Sequence, residues 1–367
     1  MRLTLSSLVI SSCTLLAACQ DPLAQQRRQL AAAQATEATA ALKKGEYARA
    51  SYAAELAAQY DPLDPALRDL TLRVSLGQIA ATRPSLTKDQ FGRAAYQSEV
   101  LTGRDPANRH IYDTVRAIDA FARGDSAGAE KGLRDVTTAS PGYVPAWLML
   151  GDVLQASRRP KDALVAFETA AGLDKFNARA ASNLGMIYAQ LGNPTAAVEK
   201  LSQALNLEDT AGVRATLASA FLSLDRPMDA LPHIATATRL EPRDGRYRVT
   251  LGEVQLKLDL LEEAGAAFRD AAALGAEPWA SRGLGAVAMK KKDYATASQS
   301  FARVLAMSPD ELSTIFLAAE AQEGLAHPRD AAKLYARFAE LAERIPSEAP
   351  RLLLAKDRLA RLGPAPK

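Results

Sequence analysis

The sequence predicts an all-α protein built as a row of repeated helix pairs, and two observations support this fold class. Aromatic residues make up only 6% of the 367 residues, and no long window alternates between apolar and polar positions. This composition, rich in alanine and leucine, favours helices over strands. In addition, small and apolar residues recur with a period of 33 or 34 residues. Such a period indicates one supersecondary unit that is stacked many times.

The first element, residues 1–18, has the pattern of a signal peptide that is removed from the mature protein. Arg2 supplies a positive charge, and the uncharged apolar stretch that follows is too short to span a bilayer comfortably. The stretch ends in LAACQD, where a leucine and two small residues precede Cys19. This pattern resembles the lipobox of bacterial lipoproteins, in which the cysteine is lipidated and becomes the first mature residue. An ordinary secretory signal cleaved nearby is the alternative.

The lipobox resemblance implies that Cys19 is the lipidation site and that residues 19–30 form a lipid-anchored linker. Gln20 follows the cysteine, which by the same resemblance favours the periplasmic side of the outer membrane, although Asp21 leaves the inner membrane open. The chain has two cysteines, and Cys13 lies within the signal. The mature protein therefore has no internal disulfide.

The repeat is defined by small and apolar residues at constant spacing. A leucine followed by glycine or alanine recurs at Leu150-Gly151, Leu184-Gly185, Leu217-Ala218, Leu251-Gly252 and Leu284-Gly285. Thirteen residues after each leucine comes an alanine, in a series that extends in both directions: Ala129, Ala163, Ala197, Ala230, Ala264, Ala297 and Ala331. Four residues later comes a large apolar residue: Leu133, Phe167, Leu201, Ile234, Phe268, Phe301 and Tyr335. Small residues permit two helices to cross closely, and the large residue on the same face fills the space beside the crossing.

This spacing resembles the tetratricopeptide repeat (TPR), with its pattern W-x2-L-G-x2-Y, then A-x3-F, then P over 34 residues. Trp147 opens one copy, and Tyr188 and Phe221 match the aromatic position after Leu-Gly. Later copies depart from the pattern there, with Gln255, Ala288 and Gln322. The resemblance implies a TPR-type α-solenoid, a right-handed superhelix of helix-turn-helix repeats.

Prolines mark the start of the second helix in four copies. Each lies three residues before the repeat alanine: Pro160, Pro194, Pro227 and Pro328. Proline is tolerated at the first position of a helix, where its missing N–H has no partner to lose. Pro232 instead falls inside a second helix, where we expect it to cost a hydrogen bond and to favour a kink.

The pattern weakens towards both ends of the chain. Residues 31–109 are predicted to form divergent repeats, with one copy near 31–64 and a degenerate copy in which Leu76-Gly77 takes the Leu-Gly position. Residues 110–345 form the regular array, giving about nine units in all. Residues 346–367 read as one amphipathic helix and a short tail, and the leucines of that helix can cover the last repeat as an array requires.

Motifs for catalysis or metal binding are missing from the sequence. The three histidines, His110, His233 and His327, are widely separated, and no zinc-binding, P-loop or nucleophile-elbow motif occurs. We therefore expect no enzyme activity, cofactor, metal or small-molecule substrate. A net charge of +3 gives no reason to expect nucleic acid. The run Lys290–Lys292 is interpreted as a charge cluster that complements a helix C-terminus.

In the TPR family the first helix of each pair lines a concave face, and the outward positions of these helices are the candidate partner-binding residues. They are Asp152, Gln155, Arg179, Asn183, Met186, Gln190, Arg246, Glu253, Arg282, Lys290, Phe316 and Glu320. The set is mixed in charge and includes two apolar residues, Met186 and Phe316.

The sequence thus predicts a non-enzymatic outer-membrane lipoprotein that acts as a protein–protein interaction scaffold for assembly of a cell-envelope machine. The layout resembles TPR lipoproteins of type IV pilus, tight-adherence secretion and exopolysaccharide export systems, and does not choose among them. The expected partners are envelope proteins, together with the membrane through the N-terminal lipid. A periplasmic peptide-binding or chaperone-like TPR module is the alternative.

Overall fold

A computed structural model describes residues 22–82 and 87–362. These residues form nineteen α-helices and two short 3₁₀ helices, and no strand occurs in this part of the chain. The predicted all-α fold of TPR type is confirmed. The signal peptide, Cys19 and the last five residues lie outside the described ranges. No described helix is both long and apolar enough to cross a membrane.

The helices follow one another with short connections. In chain order they are α1 (Pro22–Lys43), α2 (Tyr47–Tyr60), α3 (Pro65–Thr82), α4 (Lys88–Thr102), α5 (Arg109–Ala122), α6 (Ser126–Ala139), α7 (Val144–Ala156), α8 (Pro160–Leu173), α9 (Ala178–Gln190), α10 (Pro194–Leu207), α11 (Ala211–Ser223), α12 (Pro227–Leu240), α13 (Gly245–Lys257), α14 (Leu261–Ala273), α15 (Trp279–Lys290), α16 (Tyr294–Met307), α17 (Leu312–Gly324), α18 (Pro328–Ala342) and α19 (Ala349–Leu362). The chain divides into two units, Met1–Lys175 and Phe176–Lys367. In the first unit α5 and α7, and in the second unit α11, α13, α15 and α17, each pack against the second helix before and the second helix after in the chain.

The core of each repeat is the contact that the sequence spacing predicts. All seven repeat alanines and all seven large apolar residues four positions later are fully buried. Where the first helix carries glycine the approach is close, because a Cβ at Gly151 would lie 2.4 Å from the ring of Phe167 and one at Gly285 would lie 2.4 Å from the ring of Phe301. The small residue on the first helix therefore admits the large side chain of the second.

The second helices begin where the prolines predict. Helices α8, α10, α12 and α18 each start at the proline three residues before the repeat alanine. Helix α12 continues through Pro232 to Leu240, and the proline ring lies on its exposed side. An exposed position lets water satisfy the carbonyl that the proline leaves without a donor.

The turn between first and second helix requires one residue with positive φ. Gly45, Gly124 and Gly192 hold this position in three repeats. In the other copies it is occupied by residues with a Cβ: Arg158, Asp225, Asp259, Lys292 and Ala326, with φ between 54° and 62°. The left-handed conformation costs a residue with a Cβ about 1 kcal/mol, so these turns are locally strained.

The α3–α4 segment differs from the predicted degenerate repeat. A Cβ at Gly77 would lie 2.9 Å from the ring of Tyr47 and 3.0 Å from Leu42, so Gly77 packs on the preceding helix pair instead of admitting a side chain from α4. Helix α3 is 18 residues long. Helix α3 then packs against α1, α2, α5 and α7, while α4, which begins at a capping box on Thr87, packs against α5.

Both ends of the described chain are helical. Helix α1 begins at Pro22, so residues 22–30 are helix where the sequence suggested a linker. At the other end α19 packs on α18, with Ala355 buried against a cluster that contains Tyr335 and Phe338. Helix α19 is therefore the predicted capping helix.

Candidate functional site

Neighbouring first helices of the second unit lie side by side. Helix α9 contacts α11, α11 contacts α13, and α13 contacts α15. In a stack of helix pairs, the layer whose helices approach each other is the inner layer of the curve. We call the solvent-facing side chains of α9, α11, α13, α15 and α17 the inner face.

At one end of the inner face, two predicted residues come together in a cleft. Arg179 and Asn183 of α9 line a cavity of about 130 Å³ with Ser182, Glu208 and Thr210. Asn183 is only 7% exposed, so it forms the floor of the cleft and is less outward than predicted. On the same helix Met186 is half-buried and Gln190 is exposed.

Among the predicted residues that form ion pairs in the structure, Arg246 has the most exposed side chain. Its side chain is 78% exposed, and its guanidinium binds both carboxylate oxygens of Asp244, with Nε 3.0 Å from Oδ1. Asp244 is also the N-cap of α13 and accepts a hydrogen bond from the Arg246 backbone N–H at 2.9 Å. Hydrogen bonds from the Arg246 side chain and backbone lower the pKa of Asp244. Arg246 is thus held at the N-terminus of α13 with its planar group open to solvent.

Glu253 and Arg282 join two neighbouring repeats across the inner face. Arg282 Nη2 lies 3.5 Å from Glu253 Oε1. Burial raises the pKa of Glu253, and the charge of Arg282 offsets this only in part. Both side chains are partly exposed, 37% for Arg282 and 40% for Glu253, so an incoming polar group can reach the pair.

Lys290 is engaged in an ion-pair ladder between repeats. Its Nζ lies 2.8 Å from Asp259 Oδ1, and one repeat earlier Lys257 Nζ lies 3.0 Å from Asp225 Oδ1. Lys291 pairs in turn with Glu262 at 2.7 Å. The run Lys290–Lys292 therefore links repeats in addition to following a helix C-terminus.

Phe316 is not an inner-face residue. It is 6% exposed and packs edge-on against Tyr335 and Phe338, with ring centroids 5.6 and 5.2 Å apart. The prediction of an outward position was wrong because the aromatic ring of Phe316 turns into the α18 core. Glu320, one turn later, is half-buried, and burial raises its pKa.

Asp152 and Gln155 lie on α7, in the first unit. Both are half-buried, on a helix that is anchored at its start by the Trp147 indole N–H donating to the Pro141 carbonyl at 2.8 Å. They belong to a first helix, as predicted, but form no part of the inner face defined above.

Trp279 is an inner-face residue that the sequence reasoning missed. It is 54% exposed at the first residue of α15, at the repeat position that Arg246 holds on α13 and Arg179 holds on α9. The signal was present in the spacing, since counting one repeat onward from Arg246 leads to this tryptophan.

Within the residues that the structure describes, no cluster of three or more His, Cys, Asp or Glu side chains is placed to hold a metal ion. The histidines have separate surroundings. His110 contacts the ring of Tyr143, His233 stacks on Phe221, and His327 ends the turn before α18.

Comparison with known proteins agrees with this geometry. The family model described as tetratricopeptide repeat matches residues 148–212 and 216–278. These segments are tetratricopeptide repeats. No match was found among curated protein sequences.

Solved structures share the TPR fold at low sequence identity. A chain of the APC/C hetero-tetramer Cut9–Hcn1 is 18% identical with a TM-score of 0.59, over 89% of this chain and 66% of that one. A tetratricopeptide repeat protein from Parabacteroides merdae is 15% identical with a TM-score of 0.57, over 67% and 98%. PilW, described as a widely conserved type IV pilus biogenesis factor, is 20% identical with a TM-score of 0.51, over 57% and 98%. At these identities the likeness shows the fold. TPR arrays are in general non-enzymatic modules that bind other proteins.

Proposed function

We propose that this protein is a non-enzymatic scaffold that holds an extended segment of a partner protein on its inner face. The observation that carries the proposal is the equivalent placement of Arg246 and Trp279, two exposed side chains at the same repeat position on neighbouring first helices. Arginine and tryptophan are the residue types that contribute most often to binding energy at protein interfaces.

The spacing of the repeats suits an extended segment. Neighbouring helices pack about 8–10 Å apart, and an extended chain rises about 3.3 Å per residue, so every third residue of a partner meets the next repeat. Arg246 offers a planar donor group for a carboxylate or carbonyl, and Trp279 offers an apolar surface one repeat further on. The Glu253–Arg282 pair lies on the same two helices and can bind a polar side chain between them.

We further propose that the scaffold is tethered by a lipid on Cys19 to the periplasmic side of the outer membrane and serves assembly of a pilus, secretion or exopolysaccharide export machine. The sequence LAACQD supports the tether, and Gln20 favours the outer membrane. The fold shared with PilW, a pilus biogenesis factor, supports a machine of this class.

The binding proposal is tested by matched charge reversals in the same two repeats. Arg246→Glu with Arg282→Glu changes first helices α13 and α15, whereas Arg269→Glu with Arg303→Glu changes exposed positions on second helices α14 and α16. The tagged protein is purified from solubilised envelopes, and co-purifying proteins are compared. We expect the first pair to lose the partner and the second to keep it.

Each variant is also melted by circular dichroism, because a lost partner counts only if the fold is intact. Exposed ion pairs contribute about 0–1 kcal/mol each, so melts near that of the parent protein are expected. Loss of the partner from the second-helix pair alone would place binding on the opposite side and contradict the proposal.

The tether is tested by Cys19→Ser. Without the thiol no lipid can be attached, so the variant should stay unprocessed or leave the outer-membrane fraction. The lipobox assignment would be contradicted if the variant were processed and fractionated like the parent protein and if the mass of the mature parent protein showed no lipid.

A further inference from the structure

The first helix begins close to the predicted lipid. Helix α1 starts at Pro22, three residues after Cys19, and runs without a break for 22 residues into the core of the first repeat. At about 1.5 Å per residue it is about 33 Å long, whereas the three preceding residues reach at most about 10 Å. A lipid on Cys19 would therefore place the start of a rigid helix, and not a flexible linker, at the membrane surface.

The first nine residues of α1 extend beyond its packed part. The buried residues of α1 are Ala31, Ala38 and Ala41, whereas every side chain from Pro22 to Leu30 is exposed except the half-buried Ala24. Arg28 lies 4.0 Å from Asp61, immediately after the last residue of α2. Residues 22–30 thus form an exposed helical extension, which we call the overhang.

One side of the overhang has the chemistry of a membrane-contacting helix. At 100° per residue, Leu23, Arg27 and Leu30 fall within about 60° of one another on the helix. Leu23 is 64% exposed and Leu30 is 41% exposed. No acidic residue occurs between Asp21 and Glu37. Leucines beside a cation suit the boundary between acyl chains and anionic headgroups.

We propose that Leu23, Arg27 and Leu30 rest on an anionic phospholipid surface, so that the overhang holds the first repeat in a set orientation on the membrane. The proposal rests on the lipid tether described above. The tether explains how so short a face can bind, because it converts contact with the bilayer into an intramolecular event at high effective concentration.

The test labels a single introduced cysteine, which is possible because the lipidated mature chain has no free thiol. Its single cysteine, Cys19, carries the lipid, so a cysteine introduced by substitution is labelled uniquely with an environment-sensitive fluorophore such as NBD. Gln26→Cys places the probe next to Leu30 on the helix surface, and Gln25→Cys places the matched control on the opposite side. Both positions are exposed. The labelled lipoprotein is reconstituted in phosphatidylcholine vesicles with and without phosphatidylglycerol.

In anionic vesicles we expect the emission of the Gln26→Cys probe to shift to the blue and to rise at least about twofold, as for a group entering the interface, while the Gln25→Cys probe keeps its solvent value. Adding Leu23→Ser and Leu30→Ser should remove the rise while the protein still sediments with the vesicles. These two results together support the contact.

Three other outcomes overturn it. Equal, solvent-like emission from both probes on vesicle-bound protein means that the overhang stands away from the bilayer, with the lipid tether intact. An equal rise in pure phosphatidylcholine contradicts the anionic preference. Protein that remains in the supernatant and whose mass shows no lipid contradicts the tether itself, and the overhang contact with it.

Discussion

Replacing Gly285 with alanine tests the close helix crossing at which a glycine of the first helix faces a large side chain of the second. An added Cβ would lie 2.4 Å from the ring of Phe301, which is fully buried. Overpacking a dense core costs about 1–3 kcal/mol, and the higher helix propensity of alanine returns about 1 kcal/mol. We expect a net loss of up to about 2 kcal/mol in the free energy of unfolding.

Gly265→Ala is the matched control, because Gly265 lies in the interior of the neighbouring helix α14. A Cβ there would meet only the guanidinium end of Arg269 at 3.4 Å and Val287 at 3.9 Å. Helix propensity then dominates, and a gain of about 0.5–1 kcal/mol is expected. Thermal unfolding followed by circular dichroism should separate the two variants by several degrees, at about 2–4 °C per kcal/mol for a domain of this size. If Gly285→Ala melts at or above Gly265→Ala, the crossing is not as close as described.

Three further predictions concern the turns, the core and the response to acid. Ala326→Gly should stabilise the protein by about 0.5–1 kcal/mol, because glycine adopts a positive φ without strain, and Gly192→Ala should destabilise it by at least as much. Urea unfolding measures both changes, and changes of the same sign would refute the turn argument. Phe316→Ala should cost about 3–5 kcal/mol, whereas Arg246→Ala should stay within about 0.5 kcal/mol, and equal losses in urea would mean that Phe316 is not in the core. Asp105 accepts hydrogen bonds from Tyr112 at 2.7 Å and from Asn108 at 2.9 Å, and these outweigh its burial and lower its pKa. The contribution of Asp105 to stability is therefore complete above the unfolded pKa of about 3.9 and is lost as the pH falls through the lower folded pKa. Asp105→Asn should destabilise the protein at pH 7. Below about pH 4 the variant should lose less stability with falling pH than the parent protein does.

The regular part of the fold could be predicted because the same packing pattern recurs in each repeat. Ala264, Phe268 and Gly252 recur at fixed spacing, and a spacing that is repeated many times leaves little doubt about which face is buried. The α3–α4 segment could not be predicted, because Leu76-Gly77 satisfies the local pattern while the additional length of α3 directs Gly77 to Tyr47 of the preceding pair. Helix length, which decides this, is not encoded in a two-residue motif.

The candidate site was predicted less completely. Outward positions follow from the helical period, and Arg246, Arg282 and Lys290 are exposed or half-exposed first-helix residues as expected. The period gives a direction for Phe316 but does not show that the next second helix brings two aromatic rings over it. Side-chain pairs between repeats, such as Glu253 with Arg282, depend on the rotation from one repeat to the next, which the sequence does not display.

Site-specific photo-crosslinking in living cells tests most directly the central claim that the inner face binds a partner protein. A photoreactive phenylalanine derivative is placed at Trp279 on the inner face or, as control, at Met228 on second helix α12, where the side chain is 71% exposed. Both sites are apolar and accessible, so they differ mainly in the side of the helix pair that they report. The proposal predicts a discrete crosslink to an envelope protein from position 279 and none from position 228. A crosslink from position 228 with none from position 279 would contradict the assignment of the inner face as the binding surface.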